Sequence, residues 1–386
     1  MKFAPRELGS ALLKAARQFP ALILTGPRRA GKSTLLRRLF PKAANVLLED
    51  PAVVARVRAD PRGFLDDLRP PVVLDEIQNA PELFNYVRAR IDERPRRCGQ
   101  WLFTGSQEAP LMKGVTESMA GRAAVFQLLP LSIRESSKVS MFLGGFPEVL
   151  ARPAAAETWF RSYIQTYLER DVRAVSSIRD LATFRRFLSL VASRCGTMLN
   201  RTDLAGPLGV SVPTIAEWLS ILEITGQIAL IPPFYENFGK RLVKSPKLYF
   251  VDSGLACHLL GIPGAAALRA SPFLGPVFEG FVASEILKRR ANQGRARNLY
   301  YFRDQQGLEV DFVVDSGDRK LVLIEAKATR TPMPDLARPL VTLAGCIGRY
   351  ETSSFLVHGA MGNDAAPMAL RPGVRAVGVD RLGDVL

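Results

Sequence analysis

Short, uninterrupted apolar runs punctuate the first third of the chain. ALILT (21–25), NVLLED (45–50), the VVL of RPPVVLDEIQNAPELF and QWLFTGSQ (100–107) each have strand length, and each breaks off into polar or acidic residues. Runs of this kind, separated by stretches with helical spacing, predict buried parallel strands in an α/β sheet. A further strand is expected in ESMAGRAAVFQLLPLSIRE, directly after Arg122. From Trp159 the stretch WFRSYIQTYLERDVRAV returns to helical spacing and predicts part of a helical lid, with Arg170 and Asp171 on it.

The patterning changes near Leu181. FRRFLSLVASRCG reads as one helix, RTDLAGPLG as a short second, and SVPTIAEWLSILEITG as a third, with Ser211 as N-cap and Pro213 in the first turn. QIALIPPF and KLYFVD then supply two strand-like runs. Three helices and a β-ribbon predict a winged helix-turn-helix. Beyond it, GPVFEGFVASEILKRR predicts a helix from Gly275, and YYFRDQQGLEVDFVVDSGDRKLVLIEAKA two strands joined at DSGDRK. Past Thr329 the chain alternates helix and strand to its end. The expected architecture is α/β: a parallel-sheet domain with a helical lid over 1–178, a winged helix over 179–262, and a small α/β domain over 263–386.

Composition narrows the class. With 386 residues, 47% hydrophobic and 23% charged, the chain is long and apolar enough for several packed cores and too ordered in composition for extended disorder. Cys98, Cys195, Cys257 and Cys346 lack C-x-x-C spacing, and His258 and His358 have no triad partners nearby, so neither a zinc site nor a disulfide framework is expected. A reducing cytoplasm is the expected location. The N-terminal MKFAPRELGSALLKAARQF reads as amphipathic rather than secretory, and no apolar run reaches membrane-spanning length. The formal net charge of +15 favours polyanions and predicts non-specific, phosphate-directed contact with nucleic acid.

The chemistry centres on GPRRAGKST, residues 26–34, which lies between the first strand and a helix and fits G-x-x-x-x-G-K-[ST]. Gly26 and Gly31 let the backbone of Pro27, Arg28, Arg29, Ala30 and Thr34 wrap a triphosphate. Lys32 is placed to reach the β- and γ-phosphates, and the Ser33 hydroxyl to ligate Mg²⁺. ATP and Mg²⁺ are therefore the expected cofactors. Asp75 closes its strand where a carboxylate is needed for the Mg²⁺ shell. Glu76, immediately after it, is suited to orient the attacking water, which argues for hydrolysis over kinase chemistry. The domain over 1–178 thus resembles a P-loop parallel-sheet ATPase domain, and by likeness to those with an added strand the strand 100–107 is expected between the strands of Gly26 and Asp75, with Ser106 or Thr104 as a polar sensor or as a plain turn residue. Arg122 reads equally as a finger completing a neighbouring subunit's site, which implies a homo-oligomer, or as a structural or solvated arginine.

The series GPRRAGKST, LDEIQNAPELF, LFTGSQ, AGR, PLSIRE and GGFPE, continuing through YIQTYLERDV, KRLVKSPKLYFVDSGLACHLLG and FRDQQGLEVDF, resembles a widespread prokaryotic family of AAA-type ATPases with a C-terminal domain of unknown function. The resemblance covers most of the chain and implies an ATPase controlling two appended domains. By the same resemblance Arg170 approaches bound nucleotide, although a helix-surface salt bridge suits it as well.

The appended domains carry weaker signals. The third helix of the winged helix offers Thr214, Glu217, Ser220 and Glu223 but no Lys or Arg, which argues against sequence-specific readout and leaves room for a protein partner. The ribbon's Lys240, Arg241, Lys244 and Lys247 either contact phosphates or dress a ribbon whose Leu242, Val243 and Leu248 pack inward. Glu309 and Asp311 share one strand face, Glu325 and Lys327 another. An acid opposite E-x-K resembles the PD-(D/E)xK nuclease fold, so the small α/β domain over 263–386 is expected to be restriction-endonuclease-like. That resemblance implies Mg²⁺ on Asp311 and Glu325, with Lys327 at the attacking water and Glu279 or Glu285 lent by the preceding helix. Alternating charge is also what an exposed strand face shows. Two functions follow: ATP-controlled DNA binding or cleavage in DNA processing or defence, or a non-nucleolytic switch that binds nucleic acid or a protein.

Overall fold

The computed structural model describes residues 4–106, 118–168, 181–234, 245–362 and 366–386. Gln107, Arg170, Asp171, Lys240, Arg241, Leu242, Val243 and Lys244 lie outside the described residues. By packing the chain divides into two units, one of Met1–Leu131 with Ile224–Gly226 and Arg290–Arg295, the other holding the rest.

The first unit runs α1 (Leu8–Ala15), β1 (Ala21–Thr25), α2 (Lys32–Leu39), β2 (Ala44–Leu47), α3 (Pro51–Ala59), α4 (Pro61–Asp66), β3 (Val72–Asp75), α5 (Leu83–Glu93), β4 (Trp101–Thr104) and β5 (Ala123–Gln127). Its five strands are all parallel, in the order β2-β3-β4-β1-β5. The strand of QWLFTGSQ thus lies between the strands of Gly26 and Asp75, as expected. Alternation explains why β1, β3 and β4 are buried on both faces. Leu22, Leu24, Val73 and Leu102 meet Leu8, Leu12, Leu35 and Leu36 on one side, while Ile23, Leu74 and Phe103 meet Val57, Phe64, Phe84 and Val87 on the other. NVLLED corrects the expectation of burial: β2 is an edge strand, Leu47 is 44% exposed, and Asp50 accepts a hydrogen bond from the Ala52 N–H at 2.8 Å as the N-cap of α3. Three neighbouring strands therefore end together at Thr25, Asp75 and Thr104, the edge of a parallel sheet where ligands bind.

The second unit opens with α6 (Pro147–Ala151) and α7 (Ala156–Tyr163), which runs into a π-turn at Ile164–Leu168. It continues through α8 (Leu181–Ser193), α9 (Arg201–Leu208), α10 (Val212–Ile224) and the antiparallel ribbon of β6 (Ile228–Ile231) and β7 (Lys247–Phe250). Asn200 caps α9 and Gly209, at φ 65°, ends it; Ser211 Oγ accepts the Thr214 N–H at 3.2 Å. The helices α9 and α10 meet at 110°. Phe184, Phe187, Trp218 and Leu222 fill the core beneath them, so Glu217 and Ser220 remain outside. No single described helix is long and apolar enough to cross a membrane.

After α11 (Ser253–Leu259) and α12 (Ala265–Ala270), the long α13 (Leu274–Asn292) packs beside a mixed sheet of β8 (Leu299–Arg303), β9 (Glu309–Gly317), β10 (Lys320–Lys327), β11 (Glu351–His358), β12 (Met368–Arg371) and β13 (Val374–Gly378). The order is β12-β13-β11-β10-β9-β8. Asp318 and Arg319, both at positive φ, make the tight turn that joins β9 to β10, and α14 (Arg338–Cys346) carries the chain from β10 to its parallel neighbour β11. The register that pairs Ile324 with Phe312 carries Asp311 alongside Glu325 and Ala326.

Candidate functional site

At the carboxyl edge of the first sheet the chain leaves β1 through Gly26 at φ 133°. A Cβ there would stand 2.1 Å from the Leu128 carbonyl oxygen, so only glycine lets the loop start against β5's exit. Arg6 ties the loop down: its guanidinium donates to the Ala30 carbonyl at 2.9 Å and to the Leu129 carbonyl at 2.6 Å. Lys32, 4% exposed, donates to the Gly26 and Pro27 carbonyls at 2.9 and 3.1 Å, which keeps its ammonium inside the loop. Arg28 pairs with Glu49 at 3.1 Å.

Two neighbouring strands complete the site. Ser33 Oγ donates to Asp75 Oδ1 at 2.7 Å, and the Thr104 hydroxyl donates to the same oxygen. A hydroxyl and a carboxylate held this close offer the hard oxygen donors that Mg²⁺ takes, so the residues present fit that ion. Glu76 sits at φ 57°, an uncommon conformation for a non-glycine residue, and its N–H donates to Thr104 Oγ1 at 3.0 Å. Its carboxylate accepts from Ser106 Oγ at 2.9 Å and from the Gln78 amide, which also donates to Ser106 Oγ at 3.1 Å. Burial alone would raise the Glu76 pKa, but the Lys32 ammonium, the Gln78 hydrogen bond and Arg28 outweigh it and hold the carboxyl below its ordinary value. Thr104 therefore buttresses the acid pair, and Ser106 touches the Glu76 carboxylate. Arg122 stands apart in an exposed two-point pair with Asp92, at 2.6 and 3.0 Å.

A second cluster lies in the C-terminal sheet. Asp311 Oδ2 accepts the Ala326 N–H at 2.9 Å, and Lys327 Nζ lies 2.6 Å from Glu325 Oε1 and 3.9 Å from Asp311 Oδ2. Glu279 of α13 joins this cluster. Glu285 does not: it pairs with Lys288 at 2.8 Å and accepts the Ile133 N–H at 2.9 Å, which satisfies an acid on an apolar helix face. Lys247, expected at the ribbon surface, requires correction. Its side chain is 3% exposed and its ammonium lies 2.6 Å from Glu309, 3.0 Å from Glu279 and 3.7 Å from Asp311. The physical reason is strand alternation: Lys247 and Tyr249 share a face of β7, and the Tyr249 hydroxyl donates to Glu279 at 2.5 Å. Burial would depress the Lys247 pKa, but Glu279, Asp311 and Glu309 hold it above its ordinary value. Glu279 and Glu325 are each pushed up to about 7 by burial and by Asp311, against the pull of Lys247 and Lys327 respectively. The carboxylates converge on ammonium groups, and among the described residues no three His, Cys, Asp or Glu side chains meet the geometry of a metal site. The residues present do not form a ready Mg²⁺ site here.

Sequence reasoning missed Arg6, Gln78 and the burial of Lys247. Gln78 follows the acid pair by two residues and was open to notice; Arg6 and Lys247 act on residues remote in sequence.

Comparison with known proteins matches residues 18–137 to a family described as AAA domain, 134–266 to the domain of unknown function DUF8612 and 274–365 to the domain of unknown function DUF4143. Two curated relatives, uncharacterized protein Rv2008c of Mycobacterium tuberculosis and uncharacterized protein Mb2031c of Mycobacterium bovis, are each 34% identical over 335 residues, 85% of this chain and 74% of the relative. Among solved structures, the Walker-type ATPase PABY2304 of Pyrococcus abyssi is 16% identical with a TM-score of 0.44, over 66% of this chain and 94% of its own. The STAND protein PH0952 of Pyrococcus horikoshii, with a tetratricopeptide repeat sensor, is 14% identical with a TM-score of 0.22, over 74% of this chain and 48% of its own.

Proposed function

The chain belongs to the family of the two mycobacterial relatives, with an AAA domain followed by DUF8612 and DUF4143 segments, and from that membership we propose that it binds and hydrolyses ATP at residues 26–34. The observation that carries this reading is the convergence of Ser33, Asp75, Thr104 and Glu76 at the ends of three adjacent parallel strands. Backbone N–H groups of the loop and the start of α2 cradle phosphate oxygens, and Lys32 turns from its own loop carbonyls to the β- and γ-phosphates. Ser33 and Asp75 would hold Mg²⁺, which would supply neutralisation of the charge on the phosphates. Glu76, whose carboxyl is held below its ordinary value against burial by Lys32, Gln78 and Arg28, accepts a hydrogen bond from the attacking water and orients it. Ser106 and Gln78 fix where that carboxylate points.

Hydrolysis then switches the second unit between states that engage and release nucleic acid through its phosphates, in keeping with the net charge of +15 and an α10 without Lys or Arg. The three-helix and ribbon segment reads as a winged helix in this scheme, and α10, which exposes Glu217 and Ser220, suits a protein partner better than a DNA groove. Lys247 inside the carboxylate cluster favours binding without cleavage. Cleavage is the second reading, favoured by Lys327 at 2.6 Å from Glu325 beside Asp311, the arrangement of a PD-(D/E)xK set.

Phosphate release and nucleotide binding test the first step. Lys32→Ala is expected to lose nucleotide binding, whereas Glu76→Gln is expected to bind ATP and lose turnover by roughly a hundredfold or more. Turnover by Glu76→Gln at the wild-type rate overturns the assignment.

A further inference from the structure

Lys247 reaches the carboxylate cluster from the ribbon, not from the strands that carry E-x-K. Its ammonium stands over the ring of Tyr301, 5.6 Å from the centroid, and within 2.6 to 3.7 Å of Glu309, Glu279 and Asp311. Asp311 gives one oxygen to each lysine, Oδ1 toward Lys247 and Oδ2 toward Lys327. Glu309 also takes the Arg303 guanidinium at 3.0 Å, so four carboxylates share two buried or half-buried ammonium groups and one partly exposed guanidinium. The set is still not saturated: Glu325 Oε2 is buried without a hydrogen-bond partner, in a residue 5% exposed. The cluster is also reachable, because Lys247 and Glu309 line a cavity of about 300 Å³ together with Arg194, Thr197, Asn200 and Arg303.

We propose that Lys247 is a built-in cation standing where a divalent metal would bind, so that this carboxylate set is lysine-locked and excludes Mg²⁺ and Mn²⁺ until the lysine charge is removed. This rests on the nuclease-like reading of Asp311, Glu325 and Lys327; the ATP site does not enter it. A divalent ion taking Asp311 Oδ1 at about 2.1 Å would face the Lys247 ammonium, 3.7 Å from that oxygen and already held by Glu309 and Glu279. An ammonium and a dication on one carboxylate repel strongly where water is scarce. Removing the lysine charge leaves surplus carboxylates, with Glu325 Oε2 already lacking a donor, and such a set is satisfied by a hard cation. The lock also joins β7 to α13 and β9, so whatever withdraws the ribbon strand frees the carboxylates.

The test is a titration with Mn²⁺, read by electron paramagnetic resonance on the nucleotide-free full chain. Wild type, Lys247→Met and Lys247→Met/Asp311→Asn are compared, so any ion at the ATP site cancels. Lys247→Met is expected to gain a Mn²⁺ site that the double variant loses. A folded Lys247→Met without that site overturns the proposal, as does a Mn²⁺ site in wild type that Asp311→Asn abolishes. Should Lys247→Met not fold, wild type against Asp311→Asn decides alone: equal binding supports the lock, and loss refutes it. Plasmid incubated with Mn²⁺ and Lys247→Met separates the two claims. Intact plasmid with the new site present leaves the lock standing and removes cleavage.

Discussion

Glu76 shows how a single backbone angle sets up chemistry. Its left-handed conformation, φ 57°, costs on the order of 1–3 kcal/mol for a non-glycine residue and persists only where the surroundings enforce it. Thr104 does so through the Glu76 N–H, while Ser106 and Gln78 hold the carboxylate. Gln78→Ala is accordingly expected to lower turnover by about tenfold, the effect of one lost hydrogen bond of about 1.4 kcal/mol, with ATP affinity unchanged. Steady-state phosphate release alongside equilibrium nucleotide binding checks it; a loss of binding equal to the loss of turnover contradicts a positioning role. Gly26→Ala belongs to the same scale. A methyl group 2.1 Å from the Leu128 carbonyl oxygen must displace the start of the loop, so nucleotide binding should fall while the rest of the unit stays folded by circular dichroism.

At the scale of elements, the centre of the first sheet was readable because β1, β3 and β4 are apolar runs that each break off into polar or acidic candidate residues, whereas the edge strand β2 is exposed. Asp75 and Glu76 announce themselves by following VVL, and Thr104 and Ser106 by following WLF. The second cluster was readable only in part. Glu309, Asp311, Glu325 and Lys327 alternate on adjacent strands, a local pattern, but Lys247 meets Glu279 across 32 residues and nothing local marks a lysine in KLYF as buried. A lysine on a ribbon is ordinarily a solvated one; here Tyr249 and Tyr301 wall it in. Removing Glu279 takes one of the three carboxylates around the Lys247 ammonium and leaves Glu309 at 2.6 Å and Asp311 at 3.7 Å to compensate it in part. Glu279→Gln should therefore destabilise the protein by less than the roughly 3–5 kcal/mol of a fully unpaired buried charge, and Lys247→Met with Glu279→Gln together by less than the sum of the two single variants, a coupling that denaturant unfolding of the four proteins measures.

At the scale of the whole molecule the informative quantity is charge, and it decides what kind of nucleic-acid contact to expect. On the nucleic-acid reading proposed above, a chain at +15 would bind phosphates through counterion release, which carries no sequence information. Specific readout would need Arg, Lys, Asn or Gln on an exposed recognition helix, and α10 instead presents Glu217 and Ser220. Lys247 must also be subtracted from the surface count, since its charge is spent on Glu279 and Glu309. Affinity for duplex DNA should then fall linearly on a log–log plot against salt, with similar slopes for unrelated sequences of equal length. Lys247→Met should leave that slope unchanged, because a buried ammonium releases no counterion from DNA, whereas a phosphate-contacting lysine would reduce it by about one. Fluorescence anisotropy across a salt series reads both slopes. A shallower slope for Lys247→Met would mean that Lys247 leaves its carboxylates to meet DNA, and a flat response in wild type would remove electrostatic binding altogether.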